Sequence, residues 1–216
     1  MTSEDSRGAG AGSGHSDDDH EHGRRPLRAD ARRNYDLLVA AAREVFAAEG
    51  EGASMEAVAR KAGVGVGTLY RHFPKRIELV EAVYTTDVDE LIQTAQEAVA
   101  TLEPWPAVVA FLEAFVRYAQ SKRTFLNELR EAFEEHPDLK LASRERIDAA
   151  TELVIRRAQD AGVVRTDVAG ADVTQLLGPM CTSPTLTREQ AFRLLPMILD
   201  GLRLPVAPPR ADDPAR

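Results

Sequence analysis

Between about residue 30 and residue 203, apolar side chains recur every three or four positions, and alternation of period two is hardly seen. That periodicity puts one apolar stripe on each successive helix and leaves no material for a sheet, so the chain is read as all-α. The first helix is expected from about Asp30 to Glu49, with Tyr35, Leu38, Val39, Ala42, Val45 and Phe46 on one face and Gly50 and Gly52 as its stop. Two short helices follow, and then a long one begins after Pro74 with Ile77, Leu79, Val80, Val83, Tyr84, Val88, Leu91 and Ile92. Further helices are expected over about 105–120, 122–135, 139–161, 168–178 and 187–203, separated by Pro104-Trp105-Pro106, His136-Pro137, Ala161-Gly162 and Ser183-Pro184. The total is about nine.

The two short helices carry the strongest local signals. Ser54 is an N-cap, because its hydroxyl can accept a bond from an otherwise orphaned backbone amide two or three residues on. Val58 faces inward, and small Ala59 and Ala62 let a second helix cross closely. Gly63 falls where the turn needs a positive φ, and Val64 plugs the gap between the helices. The next helix buries Leu69 and Phe73, four residues apart, and presents Val66, Gly67, Thr68, Tyr70, Arg71 and His72 elsewhere. A short, rigidly backed, exposed helix is the shape a major groove accepts. The run Gly63-Val-Gly-Val-Gly-Thr68 does not read as a phosphate-binding loop: no strand precedes it, the spacing matches neither nucleotide motif, and no lysine follows the last glycine.

Ala59, Ala62-Gly63-Val64, Gly67-Thr68-Leu69-Tyr70-Arg71-His72-Phe73 and Lys75 or Arg76 together resemble the N-terminal signature of TetR family repressors. The likeness covers about residues 28–84 and includes Ala41, Val45-Phe46 and Gly50 before the motif and Leu79, Ala82 and Val83 after it. It implies a three-helix, helix-turn-helix DNA-binding domain over 24–84, a helical ligand-binding and dimerisation domain over 85–204, and a homodimer built mainly from the last two helices. It further implies phosphate contacts from the hydroxyls of Thr68 and Tyr70 and from Lys75. Val66, Gly67 and Arg71 are then candidates near base edges, Arg71 for guanine and Val66 for a thymine methyl, and Ser54 and His72 are further candidates for DNA contact. Arg28 and Arg32, within the run Arg24, Arg25, Arg28, Arg32 and Arg33, form a basic arm suited to phosphate or minor-groove contact.

The formal net charge of −8 argues against a nucleic-acid partner only until its distribution is examined. Residues 24–84 hold eleven Lys/Arg against eight Asp/Glu, whereas the segments before and after are net acidic. A localised basic footprint on an acidic remainder is what orients a protein on a duplex. Residues 1–23, rich in Gly, Ser and Asp, and the Pro-rich stretch 205–216 are expected to be disordered tails. His15, Asp17-Asp18-Asp19, His20 and His22 in the first tail could hold a metal loosely, but a solvated acidic tail is the expectation there, and neither a metal nor a cofactor is. A lone Cys181 excludes an intrachain disulfide and is expected to be a buried small apolar residue; with no long apolar run, the expected location is cytoplasmic. His72 and His136 have no nucleophile or acid at an evident spacing, so no catalytic centre is expected.

Trp105, Phe115-Val116-Arg117-Tyr118, Lys122, Ser143-Arg144 and Asp200-Gly201-Leu202-Arg203 resemble the SbtR-type C-terminal domain of some TetR regulators. Trp105, Phe111, Phe115, Tyr118, Phe125 and Met180 are candidates for the lining of an apolar effector cavity, although each fits a plain core position at least as well. Val173, Leu176, Leu177 and Met180, then Phe192, Leu194, Leu195, Ile198, Leu199 and Leu202, make the last two helices apolar around much of their circumference. That suits packing on both the core and a second subunit. A repressor released from its operator by a small molecule is the function this implies, with the long helix after Pro74 as the lever.

Overall fold

The computed structural model describes residues 24–204, with the side chains of residues 24–29 and of Glu51 outside the description. Nine α-helices form among the described residues: α1 (Arg24–Glu49), α2 (Met55–Ala62), α3 (Val66–His72), α4 (Arg76–Thr101), α5 (Pro104–Ser121), α6 (Leu126–Glu135), α7 (Pro137–Asp160), α8 (Gly170–Thr182) and α9 (Arg188–Leu202). The expected stops hold where backbone chemistry demands them. Gly50, at φ 59°, ends α1, and Pro104 and Pro137 stand in the first turns of α5 and α7, where a missing N–H costs nothing.

Helix α1 starts at Arg24, six residues before the expected Asp30, and other boundaries differ as well. Residues Lys122–Phe125 form a 3₁₀ turn, so the helix expected from 122 begins at Leu126. Helix α8 continues through Pro179 to Thr182 rather than ending at 178, and Thr182 Oγ1 donates to the Gly178 carbonyl at 2.9 Å inside that last turn. The segment 161–169 is not a free loop. Val164 makes an isolated antiparallel bridge with Arg203, through Arg165 N to Leu202 O at 2.9 Å and Leu204 N to Val163 O at 3.1 Å.

One continuous apolar core runs from Leu38, Phe46 and Leu69 through Leu79, Val83 and Leu91 to Phe111, Ile155 and Leu177. Helix α4 is buried in both halves and so ties the three-helix N-terminal unit to the bundle. Helices α8 and α9 each leave a large apolar side chain in solvent, Leu176 at 56% and Met197 at 69% exposure, opposite the faces that bury Leu177 and Leu195. No helix among the described residues is long and apolar enough to cross a membrane.

An exposed contact clasps the α6–α7 corner to α4: His136 Nδ1 lies 2.5 Å from Glu81 Oε1. The Glu81 hydrogen bond, and then its charge, raise the imidazole above its ordinary value of 6.5. A raised histidine stabilises the fold fully below its unfolded value, and that contribution fades as pH rises through the folded one. The stability difference between wild type and His136→Gln is therefore expected to be largest near pH 6 and to shrink steadily above pH 7 in denaturant titrations. A difference that grows with pH would remove the clasp from the account.

Candidate nucleic-acid interface

The turn between α2 and α3 is built as its residues require. Ser54 Oγ accepts from Ala57 N at 3.0 Å and caps α2, which buries Met55, Ala57, Val58 and Ala59. Gly63 adopts φ 69°, ψ 26°, and lets Val64 N reach back to the Ala59 carbonyl at 3.1 Å, closing the end of α2. Helix α3 then turns only Leu69 fully inward, and Phe73 follows at 3% exposure. Val66 and Tyr70 stand at 40% and 42% exposure, with Gly67 and Arg71 also in solvent and Thr68 half-buried. A Cβ on Gly67 would meet nothing within 4 Å, and the residue is helical, so neither packing nor φ requires a glycine there.

The polar groups on this face are arranged before any partner arrives. Arg71 folds along its own helix, donating from Nε to the Gly67 carbonyl at 3.2 Å and from Nη2 to Thr68 Oγ1 at 3.0 Å. Because Thr68 accepts from Arg71, its own hydroxyl proton stays free to donate outward. The Tyr70 hydroxyl touches Glu56 Oε1 at a long 3.5 Å, a contact easily given up to a phosphate. His72 sits on the flank instead. It is half-buried against α1, its ring edge-on to Tyr35 at 6.4 Å, beside Arg32 and Asp36. Arg32 is exposed on that side, and the Arg28 side chain lies outside the described residues.

The two basic residues after Pro74 have separate fates. Arg76 turns inward: its guanidinium lies 4.9 Å over the Phe46 ring, Nη2 pairs with Glu128 Oε1 at 2.9 Å, and Nη1 donates to the Ala53 carbonyl. Lys75 stays exposed at the start of α4, with its backbone N–H on Glu78 Oε2 at 3.4 Å. Of the pair, only Lys75 keeps its cation on the surface beside α3. The role of Arg76 had no local signature, since its partners lie 23 and 52 residues away in the chain.

The six aromatic and sulfur-bearing candidates in the bundle do not converge on one cavity. Phe111 and Phe125 are fully buried, Phe125 against Phe46 at 5.7 Å, and Phe115 packs on Tyr118 at 6.0 Å. Trp105 lies under the Arg203 guanidinium at 4.8 Å, and Met180 is half-buried against the core. Only Tyr118 lines the cavity of about 250 Å³ that opens between α1, α4 and α5, with Arg43, Asp87, Glu90, Arg117 and Ser121 among its neighbours. Burial pushes the Asp87 carboxyl up, even with Arg43 at 2.5 Å and Ser121 Oγ at 3.1 Å. Behind Tyr118, Lys122 Nζ donates to the phenol oxygen at 3.0 Å and lies 4.1 Å over its ring, and burial lowers its ammonium to about 8. Among the described residues no group of three or more His, Cys, Asp or Glu could hold a metal; the histidine-rich stretch around His20 lies outside them.

Known proteins place this architecture. Residues 38–83 match the family described as bacterial regulatory proteins, tetR family, and residues 103–204 match the SbtR-like transcriptional regulator C-terminal domain. The HTH-type transcriptional regulator UidR of Escherichia coli K12 is 24% identical over 155 residues, covering 70% of this chain and 79% of UidR. The HTH-type regulator TtgW of Pseudomonas putida is 33% identical over 100 residues, 46% of this chain and 75% of TtgW. A Staphylococcus aureus HTH-type regulator is 29% identical, and there the match spans 59% of the relative's length. A TetR transcriptional regulator from Streptomyces coelicolor has a solved structure with 37% identity and a TM-score of 0.70, covering 80% of this chain and 99% of that one. One from Mycobacterium vanbaalenii has 35% identity and a TM-score of 0.64, covering 83% and 100%. With the helix-turn-helix geometry and both halves matched, the chain belongs to the TetR family of transcriptional regulators and is a helix-turn-helix DNA-binding regulator of transcription.

Proposed function

We propose that the chain is a homodimeric repressor, acting in the cytoplasm by binding rather than catalysis, that leaves its operator when a small effector binds the bundle. The observation that carries this reading is the bare face of α3, where Val66, Gly67 and Tyr70 are exposed around a pre-folded Arg71. In it Thr68, Tyr70 and Lys75 contact phosphates, Val66, Gly67 and Arg71 meet base edges, and Arg28 and Arg32 reach the backbone from α1. Ser54, at the cap of α2, and His72, on the flank of α3 beside Tyr35, are further candidates for DNA contact. Pairing through α8 and α9 is supported by the exposed Leu176 and Met197, large apolar side chains that gain by burial against a second copy.

The test is a fluorescence titration against DNA from the regulator's own promoter region and against scrambled DNA, at two salt concentrations. Wild type is expected to prefer the promoter DNA. Tyr70→Ala, with an unchanged melting curve, is expected to lose about tenfold or more, the worth of one charge-assisted hydrogen bond. Equal, strongly salt-dependent binding of both DNAs by wild type would reduce the interface to nonspecific phosphate contact.

A further inference from the structure

The cavity between α1, α4 and α5 is walled by both halves of the molecule, and its polar groups are unevenly spent. Arg43, from α1, pairs with two carboxylates on α4, Asp87 at 2.5 Å and Glu90 at 2.9 Å. Arg117, the other lining cation, is half-exposed and 3.8 Å from Glu113 on its own helix α5, too far for a hydrogen bond. The hydroxyl protons are committed. Thr94 Oγ1 donates to the Glu90 carbonyl at 2.8 Å, and Ser121 Oγ has Asp87 at 3.1 Å and the Tyr118 carbonyl at 2.9 Å for its single proton. Neither Nε nor Nη2 of Arg43 makes a hydrogen bond, although Nη2 lies 2.5 Å from Asp87 Oδ1, and packing seals both from solvent and so from anything entering the cavity. What the α4 side of the wall offers a visitor is therefore acceptors, the carboxylate oxygens of Asp87 and Glu90 and the lone pairs of the Thr94 hydroxyl, while Arg117 on α5 keeps its donors.

We propose that this cavity binds a small organic cation bearing an ammonium or guanidinium group, which competes with Arg43 for Asp87 and Glu90. A volume of about 250 Å³ fits a molecule of amino-acid size and excludes a large drug-like one. Leu91 and Ala114 supply the short apolar stretch that an alkyl stem would cover. Lys122, the remaining cation near Asp87, lies behind Tyr118, hydrogen-bonded to its oxygen, and within ion-pair distance of neither carboxylate. The inference rests on the effector reading above and specifies its chemistry. Because Arg43 belongs to α1, a ligand that takes its carboxylates loosens a charged tie between the DNA-reading half and the bundle, and that differential contact is what a ligand needs to shift the equilibrium.

Butylguanidinium is the probe, with butyrate as the anionic control at equal ionic strength, titrated calorimetrically into the full-length protein without DNA. Binding of the cation at least tenfold tighter than butyrate, weakened about five- to tenfold in Glu90→Gln, is the expected result. Glu90 is 59% exposed, so its amide variant keeps the fold, which the melting curve checks. Absence of cation binding, equal binding of butyrate, or an unchanged Glu90→Gln would each overturn the assignment. A parallel titration of the promoter complex separates the two readings. Cation binding that leaves promoter affinity untouched upholds the site and sinks effector-driven release, whereas release by a compound that ignores Glu90→Gln upholds release and sinks the site.

Discussion

Phe46→Ala is expected to lose about 3–5 kcal/mol of unfolding free energy, because the ring is fully buried where three elements meet. It stacks on Phe125 at 5.7 Å, just ahead of α6, and carries the Arg76 guanidinium at 4.9 Å, at the start of α4. Truncation leaves a cavity under a cation whose remaining partners are a carboxylate at 2.9 Å and one backbone carbonyl. Denaturant titration should show the midpoint fall with the slope unchanged. Phe46→Leu, which keeps most of the volume, should recover more than half of the loss. A cost under about 1 kcal/mol for the alanine variant would mean that the surroundings collapse onto the gap, and that Arg76 does not depend on the ring.

The second large effect belongs to Gly170, at the first turn of α8. A Cβ built there would lie 2.5 Å from Glu152 N, 2.6 Å from Glu152 Cα and 2.9 Å from the Thr151 carbonyl carbon, all backbone atoms of α7. The two helices also share a hydrogen bond from Gly170 N to Glu152 Oε2 at 2.7 Å and a Thr174–Thr151 hydroxyl contact at 3.2 Å. Alanine normally improves a helix by about 1 kcal/mol over glycine, so the sign of Gly170→Ala decides between propensity and packing. Packing wins here, because backbone cannot step aside as a flexible side chain does. A loss of about 1–3 kcal/mol is expected in thermal or denaturant melts, accompanied by weaker self-association if α8 carries the subunit contact. A stabilised variant would show that α7 and α8 are free to part.

These residues also show which parts of the molecule were legible in the sequence. The helix-turn-helix could be read because its instructions are local: Ser54 caps an amide three residues on, Gly63 sets its own φ, and Leu69 and Phe73 share one face. The bundle's helices were readable from periodicity for the same reason, and the misjudged boundaries lie where prolines and a 3₁₀ turn blur it. The cavity was not readable. Sequence reasoning sought an apolar chamber from the large side chains, but Phe111 and Phe125 were better used filling the dry core. The lining came instead from residues that resemble an ordinary solvated helix face, such as Arg43 and Glu90, brought together across 47 positions. The inward turn of Arg76 was hidden likewise, since nothing near it in the chain marks a cation as buried.

Gly67 has a consequence of a different kind. The helix proposed to meet DNA is only seven residues long, and it forgoes up to about 1 kcal/mol of its own stability by leaving that position bare where neither backbone angle nor packing asks for it. On that proposal the vacancy is a negative imprint of the duplex, drawn in a chain that contains no trace of it. Laboratory drift selected for toughness alone would be free to fill it, and on the same proposal a regulator improved in that way would be hardier and blind.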